Sequence, residues 1–233
     1  MGQTKIEWCD ITVNPVVGCT YGCEYCYARR MNERFGWVED FSKPKYFPKR
    51  LKQLSTKTPK KIFINSMSDI ADWGHDAVED VYKAIWEHRF TNTTGKTKNI
   101  YLALTKRPEK LRQDQWLRPD NLWIGQTITG NQPINKFVDF LSIEPLLGPV
   151  HLDNLLHIHL GFPVGKWVII GAETGNRKGK ITPKKEWVDE IVNDCRKLDI
   201  PVFMKNSLLP IMGNVITEFP EFDILKRLEC GAE

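Results

Sequence analysis

Residues 18–30, GCTYGCEYCYARR, place Cys19, Cys23 and Cys26 at the spacing C-x3-C-x2-C, with aromatic Tyr25 directly before the last. Thiolates are the soft ligands that an iron–sulfur cluster requires. A loop that offers three of them rather than four leaves one iron open for a substrate or cofactor. Zinc sites built from cysteine usually come as two separated C-x2-C pairs, and no second pair follows here. A short apolar strand, Asn14 to Gly18, precedes the loop, and a helical pattern, Glu24 to Phe35, follows it. The chain therefore opens as strand, ligand loop, helix.

That alternation continues outward. β-branched and apolar runs at Lys61 to Asn65, Asn99 to Leu104, Asn121 to Gln126, Phe137 to Ile143, Trp167 to Ile170 and Pro201 to Met204 read as buried strands. Helical patterns lie at Ala77 to Arg89 and Lys184 to Leu198. Alternating elements predict an α/β fold with a parallel sheet, and about seven strands predict a partial or complete TIM-like (β/α) barrel. No strand is followed by the Gly-x-Gly-x-x-Gly loop of a dinucleotide fold. One connection, Ile128 to Lys136, is too short for a crossover with its helix. Either a barrel helix is missing there or the two strands are not parallel neighbours. With no linker, repeat or low-complexity tract, residues 1–233 are expected to form one domain.

Composition fits this reading: 41% hydrophobic and 27% charged residues are those of an ordinary globular protein. No apolar run approaches the roughly 18 residues of a membrane span, and MGQTKIEWCD lacks a leader pattern, so a cytoplasmic location is expected. Ile6 stands where a myristoylation start needs Ser or Thr. Six cysteines in such a setting are reduced thiols or metal ligands rather than a disulfide framework. Cys195 and Cys230 read as structural, and His157 and His159 follow no ligand spacing.

The ends of the strands are polar. In order they carry the cysteine loop; Asn65, Ser66, Ser68 and Asp69; Thr105, Lys106 and Arg107; Gln126 and Thr127; Ser142 and Glu144; Glu173 and Thr174; and Lys205 and Asn206. In a parallel barrel those ends hold the active site. Lys106, Arg107 and Lys205 place cations there that suit a phosphate or carboxylate. Asp69 and Glu173 equally suit the starts of following helices. Between Lys43 and Lys61 stand eight basic residues and no acidic one, with Tyr46 and Phe47 among them. Such a stretch fits either a nucleic-acid contact or a solvated loop, and the net charge of +4 does not decide between them.

The cysteine motif resembles that of the radical S-adenosylmethionine (SAM) superfamily, C-x3-C-x-aromatic-C on the loop after the first barrel strand. The segments IEWCDITVNPVVGC, FINSMSD, LTKRPEKL, LSIEPLLGP, WVIIGAETG and IPVFMKN extend the resemblance through most of the chain. They resemble an uncharacterised, largely prokaryotic and phage-encoded radical SAM family. The resemblance implies a [4Fe-4S] cluster on Cys19, Cys23 and Cys26, with SAM on the open iron and Tyr25 against its adenine. Ser66, Ser68, Glu144 and Glu173 would then face SAM, and Lys106, Arg107 and Lys205 the substrate. It also implies an external electron donor of flavodoxin or ferredoxin type, and the cations suit a nucleic acid or nucleotide substrate. Many members end the last strand with Lys-Gln-Trp-Gly and have a longer fourth crossover; this chain has Lys205-Asn206-Ser207-Leu208 and the short connection. Two alternatives stay open: an electron carrier with Cys9 as fourth ligand, and a four-cysteine zinc module that binds nucleic acid.

Overall fold

A computed structural model describes residues 4–87, 99–152 and 166–222. His157, His159, Cys230 and the end of the helix expected through Arg89 lie outside the described residues. The strands are β1 (Ile11–Thr12), β2 (Val16–Val17), β3 (Lys45–Tyr46), β4 (Lys61–Phe63), β5 (Ile100–Thr105), β6 (Leu122–Ile128), β7 (Phe140–Ile143), β8 (Val168–Ile170) and β9 (Val202–Met204). Seven of them form one sheet in the order β1-β4-β5-β6-β7-β8-β9. The ladders β1/β4, β4/β5, β6/β7, β7/β8 and β8/β9 are all parallel. The α/β class and the parallel sheet are as expected, and the sheet order has two ends, at β1 and β9. The helices are α1 (Tyr27–Phe35), α2 (His75–Glu87), α3 (Gln113–Trp116), α4 (Lys185–Lys197) and α5 (Leu209–Met212).

The first strand is not where the sequence suggested. Asn14 to Gly18 does not enter the main sheet; Val16 and Val17 pair antiparallel with Tyr46 and Lys45 in a separate two-stranded ribbon. Pro15 has no N–H to give a ladder, which disfavours a central strand there. Ile11 and Thr12 take the edge place instead, against Ile62 and Phe63.

The chain divides into two compact units, one running to Trp123 and the other starting at Ile124. In the first, β4 and β5 bury Ile62, Ile64, Tyr101 and Leu102. Helix α2 buries Ala77, Val78, Val81, Tyr82, Ala84 and Ile85, the stripe that a 3.6-residue period lays on one face. In the second, Phe140, Ile143, Trp167, Val168 and Phe203 are buried, as are Val188, Ile191 and Cys195 of α4. Burial pushes the Cys195 thiol up to about 12, so it behaves there as an apolar side chain.

The short connection joins true parallel neighbours, and the crossover helix is what is missing. Side chains replace it. Gln126 donates from Nε2 to Pro133 O at 2.8 Å and accepts from Asn135 N at 2.8 Å. Asp139, fully buried, accepts from Ile124 N at 2.8 Å. Backbone groups of the connection, and one amide of β6, thus find partners in two polar side chains.

Candidate active site

The cysteine loop is built against the end of β4. Gly18 N donates to Met67 O at 3.0 Å and Cys19 N to Phe41 O at 2.8 Å. Gly18 has φ 114°, and a Cβ there would lie 2.8 Å from Pro44 Cα and 3.0 Å from Phe41 O. Only glycine suits a position that is both left-handed and pressed on backbone. Cys19 and Cys26 pack on a small apolar cluster of Val17, Ala28, Val38, Phe41 and Met67. All three thiols are half-buried.

Two of the sulfurs already accept amide hydrogens. Tyr21 N donates to Cys19 Sγ at 3.5 Å, and Arg29 N donates to Cys26 Sγ at 3.4 Å. Cys26 is thereby the N-cap of α1, whose other end closes on Gly36 in the left-handed conformation, Gly36 N donating to Asn32 O. The positive end of the helix dipole thus faces a thiol. Burial raises the Cys19 thiol to about 12. Cys23 is also raised by burial, against the pull of Lys106 and a hydrogen bond with Tyr25. Both remain protonated at neutral pH until a metal takes the sulfur, which deprotonates it outright.

The loop is stapled from the far side by Thr20 and Asp72, which the sequence did not single out, and by Arg107, which it did. Thr20 donates from its amide to Asp72 Oδ2 at 2.9 Å and from its hydroxyl to Asp72 Oδ1 at 2.8 Å. Arg107 Nη1 donates to Thr20 Oγ1 at 2.8 Å, while Nη2 stands 2.7 Å from Asp72 Oδ1 as an ion pair without hydrogen-bond alignment. The Arg107 and Asp72 side chains are only 11% and 8% exposed. Burial pushes the Asp72 carboxyl up, but the Thr20 amide and hydroxyl and the Arg107 guanidinium outweigh it, and the group is held below its ordinary value. The guanidinium, expected to face substrate, is thus committed to the cysteine loop, with its charge over the Tyr21 ring at 5.5 Å. Lys106 lies above the loop, its Nζ 5.5 Å from the Tyr25 ring centre.

Ser66 donates to Asn14 Oδ1 at 3.1 Å, and its carbonyl accepts from Tyr27 OH at 2.6 Å. Ser68 Oγ accepts from Trp73 Nε1 at 2.9 Å. Asp69 caps a 3₁₀ turn through Ala71 N and accepts from Lys106 N at 2.9 Å; burial raises its carboxyl despite these bonds. Tyr25, Ser66, Ser68, Lys106 and Arg107 are thus assembled with the three cysteines in the first unit.

The remaining candidates belong to the second unit. Glu144, after β7, and Lys205, after β9, form an ion pair with each other. Gly171, after β8, leaves room for it: a Cβ there would lie 3.0 Å from Lys205 Cδ and 3.2 Å from Glu144 Cγ. Ser207 accepts from Ala172 N at 3.0 Å. Glu173 is gripped by the fork of Arg177, at 2.7 and 2.9 Å, and is 3% exposed. Arg177 holds the Glu173 carboxyl below its ordinary value of 4.5. A group depressed on folding contributes stability above its unfolded value and loses it as pH falls through the folded one. Arg177→Gln is therefore expected to lower the denaturant midpoint at neutral pH and to flatten its fall through the carboxylate range. Urea titrations of both proteins across that range check this.

Cys9 is buried, its thiol directed to Ile6 O at 3.9 Å. The next residue, Asp10, donates to Lys61 O at the start of β4, whereas Gly18 meets Met67 beyond its end. Cys9 thus lies at the opposite end of β4 from the loop, so both alternatives that recruit it need a different fourth ligand. Among the described residues no three His, Cys, Asp or Glu side chains converge as a single metal ion would need. Three soft, half-buried sulfurs on one loop, two of them receiving amide hydrogens, are the donor chemistry that an iron–sulfur cluster would require.

A family model described as a protein of unknown function, DUF5131, matches residues 3–208. No curated protein and no solved structure matches the chain. The chain belongs to the DUF5131 family.

Proposed function

We propose that this member of the family is a radical SAM enzyme with a partial-barrel fold, acting in the cytoplasm on a phosphate-bearing substrate, a nucleic acid or nucleotide. The observation that carries the reading is the three-thiol loop on α1, bonded to the end of β4 and stapled by Asp72 and Arg107. When bound and reduced by a donor of flavodoxin or ferredoxin type, the cluster supplies reductive cleavage of SAM to a 5′-deoxyadenosyl radical, which takes a hydrogen atom from the substrate. The chain's own residues hold and shape that site. Cys19, Cys23 and Cys26 would hold the cluster, each giving up its proton on binding. The Tyr21 and Arg29 amides donate to sulfur, a contact that tunes cluster potential. Tyr25 takes the adenine, with the Lys106 ammonium at its ring. Ser66 and Ser68 orient the ribose, whereas Glu144 and Glu173 are ion-paired within the second unit, to Lys205 and Arg177, and take no part in holding SAM. Lys106 draws the substrate phosphate, and Arg107 is a positioning residue. No described helix is long and apolar enough to cross a membrane, and none is needed for this role.

Anaerobic reconstitution tests the ligand set. About four irons and four sulfides per chain are expected, with the cluster absent from Cys19→Ala, Cys23→Ala and Cys26→Ala and retained by Cys9→Ala. Loss of the cluster from Cys9→Ala, or its survival in any of the other three, contradicts the assignment.

A further inference from the structure

We infer that the segment from Lys43 to Lys61 is a preformed basic rib that binds the phosphodiester backbone of a nucleic-acid strand and leads it to the cysteine loop. The segment is an ordered element. Phe47 N donates to Pro15 O at 2.7 Å, and Arg50 Nη1 donates to Asn14 O at 2.8 Å. A 3₁₀ helix, Pro48–Gln53, follows, and Leu54, fully buried, anchors its end through a bond from Tyr101 OH to its carbonyl at 2.9 Å. The two aromatics serve the fold rather than stacking bases. Tyr46 OH donates to Asp80 at 2.8 Å, and Phe47 is covered by the Arg50 guanidinium at 4.2 Å. What remains for a ligand is charge. Lys45, Lys49, Lys52 and Lys57 are exposed, and among the described residues none lies within 4 Å of a carboxylate.

The rib's beginning touches the candidate site. Pro44 is the residue against which Gly18 packs, one position before Cys19. From there the segment runs back to Lys60, whose carbonyl accepts from Ile100 N beside the start of β4. Cations spaced along a fixed backbone match a repeating polyanion better than a single phosphate, because each contact releases counterions. The inference deepens the function proposed above by choosing a polymer over a free nucleotide; the contact itself does not depend on a cluster.

The test is fluorescence anisotropy of the cluster-free full chain with labelled 20-mer single-stranded DNA and RNA, in separate arms, over a range of salt. Wild type is expected to bind at least one of them, with log affinity falling linearly in log salt. The triple variant Lys45→Glu, Lys49→Glu, Lys52→Glu is expected to bind at least about tenfold more weakly, with a slope shallower by about 2. Its thermal unfolding should match wild type, since all three side chains are exposed. No binding by wild type at low salt, equal binding by the triple variant, or equal competition by inorganic phosphate overturns the inference. None of these results bears on whether reconstituted protein cleaves SAM.

Discussion

Arg107→Ala is expected to destabilise the protein by about 3–5 kcal/mol, the usual cost of removing one partner of a buried ion pair. The loss has two parts. Asp72 keeps its charge in a pocket where burial already works against it, and only Thr20 remains to compensate. Thr20 in turn loses the donor at 2.8 Å that holds its hydroxyl in place. Arg107→Lys should recover only part of the loss, because a single ammonium does not replace a fork that meets Thr20 and Asp72 together. Urea unfolding with an unchanged slope reads the stability. Iron retention after reconstitution reads the loop, and it should fall in Arg107→Ala even where the protein remains folded. Wild-type stability in Arg107→Ala contradicts the staple.

Gly18→Ala is the second large effect. The methyl group would stand 2.8 Å from Pro44 Cα, a backbone atom with nowhere to go, at a φ of 114° that alanine rarely adopts. Strain of about 1–3 kcal/mol from the dihedral alone adds to the clash. The displaced atoms belong to the residue before Cys19, so cluster content should drop together with stability. Gly36→Ala provides the comparison: its φ is also positive at 64°, but a Cβ there meets nothing within 4 Å. That variant should lose about 1 kcal/mol of dihedral strain and keep its cluster. Equal iron content in the two variants would show that Gly18 does not position the loop.

These two residues illustrate what was legible in the chain. The cysteine spacing, the aromatic before Cys26 and the helix after it were all visible in thirteen consecutive letters, residues 18–30. Six strands of the sheet were visible as apolar β-branched runs, because a parallel strand buried on both faces leaves that mark. The edge strand was not. Ile11–Thr12 is two residues long, while Val16 and Val17 close after it are buried for a different reason, the ribbon with β3. The strand expected from Phe137 begins at Phe140, since Phe137 is 51% exposed and Asp139 turns inward to Ile124.

The site was legible where it is local in sequence and hidden where it is not. Arg107 looked like a cation for substrate because it follows a strand with Lys106. Its partner Thr20 is 87 residues away, and no spacing rule joins them. Asp72 stands three residues past the end of FINSMSD, and nothing in the local sequence marks it. The mutual capture of Glu144 and Lys205 depends on Gly171 having no side chain, which only the neighbouring strands make meaningful.

The most direct measurement of the central claim is the fate of SAM. Anaerobically reconstituted protein is reduced with dithionite in the presence of SAM, and 5′-deoxyadenosine is sought by mass spectrometry. The account predicts that it forms with wild type and not with Cys23→Ala. A cluster that assembles on Cys19, Cys23 and Cys26 yet leaves SAM uncleaved would contradict it.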